Sequence, residues 1–325
     1  MILIVTNQAD YTADFLILKL IQQGIDFVRF NTEDFPQKVQ LSVEFAANQL
    51  DGALSIQNRE LKLKTITGIW YRRPVPSVIS DSIVDPAAKQ FAEAECREAL
   101  EGFWRIVPAF WISNPDQLRI AESKMLQLAK AARLGFVIPK TLITNSPQSA
   151  LDFYKTRNTR LIYKPLRYAQ ITREDRNGLI YTNVIEEQHA AQLETIQYAP
   201  GIFQPYIAKQ TELRVTVVGS QVFAVEIHSQ DVPEAQQDWR RTDAIQLRHT
   251  PYTLPESIAS KCITLTQQFG LAFGAIDLIL NPDGEYIFLE LNPNGQWAWI
   301  EQICPEIHIS DAMIDLLRSQ ESRSE

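Results

Sequence analysis

The sequence predicts a mixed α/β protein, of the α+β kind, assembled from three units. Three observations carry this reading. The chain opens as an apolar strand, a helix and a second strand between Ile2 and Phe30. Prolines at Val107-Pro108 and Asn114-Pro115 then punctuate it, as at a boundary. The final part holds two pairs of apolar strands folded about Gly219-Ser220 and Asn281-Pro282-Asp283-Gly284, the pattern of antiparallel hairpins. The units expected are 1–110, 111–200 and 201–325, and a length of 325 residues is ample for two domains or more.

In the first unit Ile2–Thr6 reads as a strand. Asp14–Gln23 reads as a helix with Phe15, Leu16, Leu18, Leu20 and Ile21 at helical spacing, closed by Gly24. Ile25–Phe30 follows as a strand. Val39–Phe45 and Ala53–Gln57 suggest a short antiparallel pair turning at Asp51-Gly52. Gly68–Arg72 is a further strand, and Pro86 to Ile106 a long helix carrying Ala88, Phe91, Ala92, Ala99 and Phe103.

The second unit starts with a helix over Glu122 to Leu134, its apolar face drawn from Met125, Leu126, Leu128, Ala129 and Ala132. Val137–Ile143 is a strand, Pro147–Thr156 a helix with proline in its first turn, and Arg160–Lys164 a strand. Residues 166–183, marked by Asn177-Gly178, suggest a hairpin. In the third unit Phe203–Ile207, Leu213–Val218, Gln221–His228, Phe273–Leu280 and Tyr286–Leu291 are strands. Asp231 to Thr250 reads as polar loop, and Pro255–Phe269 and Ser310–Ser319 as helices.

Composition excludes several classes of function. A net charge of −8, from 31 Lys+Arg against 39 Asp+Glu, argues against a nucleic-acid partner. No apolar run approaches the ~18 residues of a membrane span. Met1 runs directly into Ile2-Leu3-Ile4-Val5 without a basic stretch or cleavage site, so no signal peptide is expected there, and the dispersed cysteines lead to the expectation of a reducing cytoplasm. Cys96, Cys262 and Cys304 are far apart, which argues against a disulfide frame or a structural zinc site. G-x-x-x-x-G-K-[ST], G-x-G-x-x-G, H-E-x-x-H and G-x-S-x-G are all absent. Chemistry must therefore come from lysines, arginines and carboxylates.

Those residues form a pattern. Folding the last two strands about Asn281–Gly284 brings Asp277 opposite positions 288 to 290. Glu290 and Asn292 are two apart and share a face. Three oxygen ligands on one apolar hairpin suit Mg2+, since carboxylates buried there need a cation or donors. Lys124 falls in the first turn of its helix, against the macrodipole, where a shared anion would account for it. Lys164 ends an apolar strand and is held extended by Pro165. Read singly, either lysine is also an ordinary surface residue. Glu212 and Arg214 share a strand face, as a local ion pair or with the guanidinium free for a phosphate or carboxylate. Asp238-Trp239-Arg240-Arg241 adds further bases, and the extended segment Gln204-Pro205-Tyr206-Ile207 has backbone groups that could meet a purine edge.

In this order the residues resemble the ATP-grasp superfamily. More narrowly, the chain resembles the ATP-grasp macrocyclases of microviridin and related graspetides. That closer likeness rests on Trp70-Tyr71-Arg72-Arg73, Asp238-Trp239-Arg240, Phe273-Gly274-Ala275-Ile276-Asp277 and Tyr286-Ile287-Phe288-Leu289-Glu290-Leu291-Asn292-Pro293. The resemblance implies an ATP-grasp fold: an N-terminal pre-ATP-grasp α/β domain, a central domain, and a C-terminal domain with an antiparallel sheet. It implies that Lys124 and Lys164 hold ATP phosphates, that Gln204, Tyr206 and Ile207 meet the adenine, and that Glu212 reaches the ribose. Asp277, Glu290 and Asn292 would hold Mg2+, and Arg214 and Arg240 would face the γ-phosphate or the substrate carboxylate. It further implies phosphorylation of Asp or Glu side chains of a ribosomal precursor peptide, then ω-ester or ω-amide closure onto Thr, Ser or Lys. The partner implied is a precursor with a leader helix and an Asp/Glu-rich core, and the enzymes resembled form homodimers.

Two stretches depart from that family pattern. Ile185-Glu186-Glu187-Gln188-His189-Ala190, where a leader would dock, has its acids shifted and one histidine. Lys164-Pro165 also has an unusual neighbourhood. The alternatives are an ATP-grasp amino-acid ligase acting on a protein terminus or small acceptor, and a non-catalytic nucleotide sensor. Retention of both lysines and all three metal ligands speaks against the sensor.

Overall fold

The computed structural model describes residues 1–319 except 48, 58, 156–159, 168, 173–176 and 191. The chain begins with a parallel four-stranded sheet whose strands lie in the order Phe27–Asn31, Ile2–Thr6, Gly68–Tyr71, Phe110–Ile112. Strand alternation divides its side chains between two cores. Leu3, Val5, Phe30 and Ile69 face the helix Pro86–Ile106, which contributes Cys96, Leu100, Phe103 and Trp104. Ile2, Ile4, Trp70 and Ile112 face the helix Tyr11–Gln22 and the C-terminal helices.

The helix starts are set locally. Asp10 and Asp85 accept amide hydrogens from the first turns of Tyr11–Gln22 and Pro86–Ile106, and Pro86 fills a position that needs no donor. Gly24 takes the positive φ that ends the first helix. The apolar faces differ from expectation: Leu18, Ile21, Phe91 and Met125 are exposed. Of the expected faces the core keeps Leu16, Leu20 and Phe103, and it adds Leu100, Trp104 and Ala131, because the position of the sheet, rather than the count of apolar residues, selects the buried stripe.

The small antiparallel pair is a three-stranded sheet, Val39–Ala46, Gln49–Ile56 and Arg59–Lys62. Its first turn follows Ala46, where Ala47 has positive φ, and not Asp51-Gly52. Gly52 lies within a strand because a Cβ there would meet Leu63 Cδ1 at 2.6 Å.

The central sheet is antiparallel, in the order Asn183–Ile185, Leu161–Lys164, Gly201–Pro205, Leu142–Thr144. Beside it Ala169–Thr172 pairs with Asn177–Ile180. The expected hairpin is present, though Asn177-Gly178 belongs to its second strand and the turn, 173–176, lies outside the described residues. Val137–Ile143 is mostly extended chain, with a strand only at Leu142–Thr144.

The C-terminal sheet has five antiparallel strands in the order His249–Pro251, Gln221–Ile227, Thr211–Val218, Phe273–Leu280, Tyr286–Asn292. The stretch 231–248 is a run of 3-10 turns that buries Trp239. Leu213, Val215, Val217, Ile276, Leu278 and Phe288 pack one face of the sheet against Pro115–Ala121, Lys124–Arg133 and Glu256–Gln268. On the opposite face Val218, Val225, Phe273 and Ala275 are covered by Ala298–Ile303 and Ile309–Arg318. Glu212, Asp277 and Glu290, on that same second face, are left to a cavity, with Arg214 behind them. Cys96, Cys262 and Cys304 are buried free thiols. Among the described residues no helix is long and apolar enough to cross a membrane.

The C-terminal helix also closes the first sheet. A Cβ on Gly68 would lie 2.9 Å from the Leu317 carbonyl oxygen and 3.3 Å from Leu317 Cδ2. Gly68→Val must push Ile309–Arg318 off the sheet, and overpacking of that kind costs about 1–3 kcal/mol. Urea unfolding should show a lowered midpoint with an unchanged slope; an unchanged midpoint contradicts this packing.

Candidate active site

The site is built on one rung of the C-terminal sheet. Arg214 pairs with Asp277 across one ladder, and Asp277 pairs with Glu290 across the next. A β-bulge makes this possible. Leu278 faces Phe288 but Asp277 faces Glu290, so Leu289 is the extra residue. Without it Asp277 would face Leu289, and Glu290 and Asn292 would turn to the opposite side of the sheet. The bulge thus puts Asp277, Glu290 and Asn292 on one face, with Asn292 opposite Ala275.

Cations compensate the two carboxylates. Lys124 Nζ donates to Glu290 Oε2 at 2.7 Å, and Arg240 Nη1 to Glu290 Oε1 at 3.1 Å. Arg214 Nε lies 3.3 Å from Asp277 Oδ1, with its guanidinium over the Trp239 ring at 5.5 Å. Burial pushes the Asp277 carboxyl up, and the Glu290 charge adds to this against Arg214, to about 6. Burial acts on Glu290 in the same sense, but Lys124, Arg240 and Lys164 outweigh it and hold Glu290 below the ordinary carboxylate range. Asp238 grips Arg240 with both oxygens, at 2.9 and 3.1 Å, and accepts the Thr182 amide at 3.2 Å.

A cavity of about 450 Å³ lies between this rung and the central sheet. Lys124, Lys164, Gln204, Tyr206, Ile207, Glu212, Arg240, Asp277, Glu290 and Asn292 all line it, while Arg214 lies behind them. Lys164 ends Leu161–Lys164 with no ion pair among the described residues. Burial, joined by Lys124 and Arg240 and opposed by Glu290, brings its ammonium down to about 8. Gln204 donates to Thr141 Oγ1 at 2.9 Å, while its buried Oε1 has no partner among the described residues. The Tyr206 amide donates to the Arg160 carbonyl at 2.7 Å. Glu212 accepts from Lys209 at 2.9 Å and Ser229 at 2.8 Å.

Three contributors escaped the sequence reading. Gln127, buried in Lys124–Arg133, donates to the Leu291 carbonyl at 2.7 Å and accepts the Leu291 amide at 3.0 Å. Lys209 balances Glu212, and Arg72 reaches Asn294 from the first sheet. A glutamine amid apolar helix positions was the only available signal for Gln127.

Residues 1–119 match the family model described as the MvdD pre-ATP grasp domain, and residues 121–317 match that of the RimK-like ATP-grasp domain. The chain belongs to the ATP-grasp ligases. Over 98% of its length it is similar to a RiPP-associated ATP-grasp ligase of Chryseobacterium gregarium, solved with ADP and a leader and core peptide, at 33% identity, 96% coverage of that chain and a TM-score of 0.90. The macrocyclase MdnC of Microcystis aeruginosa MRC, bound with precursor peptide MdnA, is 30% identical, covers 98% of this chain and 99% of its own, and gives a TM-score of 0.85. Among curated proteins, the glutamate–LysW ligase ArgX of Sulfurisphaera tokodaii is 22% identical over 218 residues, 65% of this chain and 74% of that protein.

An ATP-grasp ligase uses ATP, and this cavity offers what a nucleotide needs: the cations Lys124, Lys164 and Arg240, and a buried acceptor, Gln204 Oε1, with no partner among the described residues. The all-oxygen set Asp277, Glu290 and Asn292 fits a hard divalent ion, and Asp277's upward shift marks charge that such an ion would offset. An anionic phosphate beside Lys164 should restore its proton. ADP binding above pH about 8 should therefore take up protons and weaken as pH rises. Calorimetry in buffers of different ionisation enthalpy checks this. Proton uptake that is unchanged in Lys164→Met would contradict it.

Proposed function

We propose that this ligase is a peptide macrocyclase, phosphorylating Asp or Glu side chains of a precursor peptide and closing them as ω-esters or ω-amides. The observation that carries the reading is the degree of likeness over the whole chain: the peptide-bound RiPP ligase is 33% identical over 98% of this chain with a TM-score of 0.90, while N-acetylaspartylglutamate synthase A of Homo sapiens is 23% identical over 89% of it and the glutamate–LysW ligase 22% over 65%.

The roles proposed are those the family resemblance implies, and the cavity lining is compatible with them. Lys124 and Lys164 hold the phosphates of ATP. Gln204, the Tyr206 carbonyl and Ile207 meet the adenine, and Glu212 the ribose. Asp277, Glu290 and Asn292 hold Mg2+. When bound there, Mg2+ supplies positive charge to the phosphoryl group being transferred. Lys124 and Arg240, which compensate Glu290 here, would with the ion bound be available to phosphate oxygens. Arg240, braced by Asp238, lines the cavity and faces the γ-phosphate or the substrate carboxylate; Arg214, expected there too, stands behind Asp277 over Trp239 and reaches that charge only through Asp277.

In the first step a carboxylate oxygen of the peptide attacks the γ-phosphorus, the bond to the bridging oxygen breaks, and ADP leaves. In the second, a hydroxyl or amine of the same peptide attacks the acyl carbon. Phosphate departs and takes up the proton of the attacking group. Proximity within one bound peptide favours closure over hydrolysis.

The acidic balance of the whole protein, −8, works against capture of an Asp/Glu-rich core. A leader helix therefore serves as a separate anchor, docking near residues 166–192 and raising the core's effective concentration. Arg167, Glu186 and Glu187 are exposed there, and the Glu186 amide donates to His189 Nδ1 at 3.1 Å. Arg173, Glu174, Asp175 and Arg176, which also motivate this anchor, lie outside the described residues. The reading also carries over the homodimer of the family and the division into units 1–110, 111–200 and 201–325.

Mass spectrometry of a candidate precursor with enzyme, ATP and Mg2+ tests the reaction. Each ring should remove one water, far faster with the leader attached. No dehydration of any Asp/Glu-rich precursor would favour the amino-acid ligase instead. Glu290→Gln and Asp277→Asn should fold normally and lose turnover by on the order of 10²-fold or more; ADP release at the unaltered rate would contradict their role.

A further inference from the structure

The segment that follows Glu290 is held by residues from outside its own sheet. Gln127 pairs with both backbone groups of Leu291, and Ser113 Oγ donates to the Pro293 carbonyl at 3.4 Å. Ser113, at the end of Phe110–Ile112, is a non-glycine residue with φ of 69°. Farthest along, Arg72 Nη1 donates to the Asn294 backbone carbonyl, and to Asn294 Oδ1 at 3.3 Å. Asn294 Nδ2 donates back to the Arg72 carbonyl. Within this turn the Asn294 amide donates to Asn292 Oδ1 at 3.2 Å and the Gly295 amide to the Asn292 carbonyl at 3.3 Å.

Arg72 is a costly choice for packing alone. It is 1% exposed. Asp10 lies 3.9 Å from Nε, and Nε and Nη2 have no hydrogen-bond partner among the described residues. A buried guanidinium so poorly balanced is usually matched or bettered by an apolar side chain of similar volume. What an apolar side chain cannot do is bond the Asn294 carbonyl. The strand Gly68–Tyr71 delivers Arg72 to that point, with the Arg72 amide still on the parallel ladder, donating to Val5 at 2.8 Å.

We propose that Arg72 is a positioning residue for the metal ligands. It anchors the Asn292–Asn294 turn to the first sheet and so fixes where Asn292, and through the strand Glu290, present their oxygens. This deepens the metal-site reading above and rests on it. The N-terminal unit then acts on catalysis directly, by setting ligand geometry, besides whatever peptide it contacts.

The test is ADP binding by calorimetry, with Mg2+ and with chelator, in Arg72→Met and in Asn294→Ala. Loss of an outer support of metal ligands costs about 10–100-fold in metal affinity. Both variants should lose Mg2+-supported ADP affinity by about that factor while binding ADP in chelator as the unaltered protein does. Arg72→Met should also unfold at an equal or higher urea concentration. Equal losses with and without Mg2+, or no loss, overturn the proposal. Should Arg72→Met fail to fold, Asn294→Ala decides alone by the same criterion. An unaltered protein whose ADP binding ignores Mg2+ overturns the metal reading and this proposal together. A Mg2+ effect that survives in both variants overturns this proposal alone. Neither outcome depends on which peptide is joined.

Discussion

Asp277 and Glu290 face each other across one rung of the last sheet, and two carboxylates so placed cannot both stay ionised without cations beside them. Much of the surrounding structure answers that constraint. Arg214 stands on the next strand beyond Asp277, and Lys124 and Arg240 each take one oxygen of Glu290. The cations are in turn held: Arg214 by the Trp239 ring, Arg240 by Asp238. The result is a charged face that is close to balanced yet exchangeable, since a divalent ion and a polyphosphate bring the same two kinds of charge.

The three sheets divide the work. The C-terminal sheet supplies the rung, the central sheet supplies Lys164 and Gln204 across the cavity, and the first sheet ends in the residues that grip the turn after Glu290. Hydrophobic packing joins them. One core unites Ile2, Ile4 and Trp70 of the first sheet with Val218, Phe273 and Leu317 near the chain's end. Another joins Leu118 and Ala131 to Leu213, Ile276 and Phe288. The site's geometry is therefore tied to packing distant in sequence.

The convergence of Asp277, Glu290 and Asn292 on one face was legible in the sequence. Asp277, Glu290 and Asn292 declare themselves as polar residues in apolar strands around a tight turn, and the turn constrains their register. That the register settles on Asp277–Glu290 depends on the bulge at Leu289, which no local propensity marks. Phe91 and Met125 look like core residues by spacing yet are exposed, because the neighbours that select a helix face come from elsewhere in the chain. Gln127 and Arg72 were illegible as site residues for the same reason. Each acts on the backbone of Leu291 or Asn294, and a backbone contact leaves no trace in the identity of the residue contacted.

The claim on which this account turns is that one carboxylate row holds the metal while its cations serve the phosphates. A crystal structure of the complex with ADP and Mg2+ tests it most directly. The account predicts an ion coordinated by Asp277, Glu290 and Asn292 at about 2.0–2.1 Å, with Lys124 and Arg240 moved from Glu290 onto phosphate oxygens and Gln204 Oε1 accepting from the adenine amino group. A complex in which Lys124 and Arg240 stay on Glu290, with the ion bound by the nucleotide alone, would contradict it.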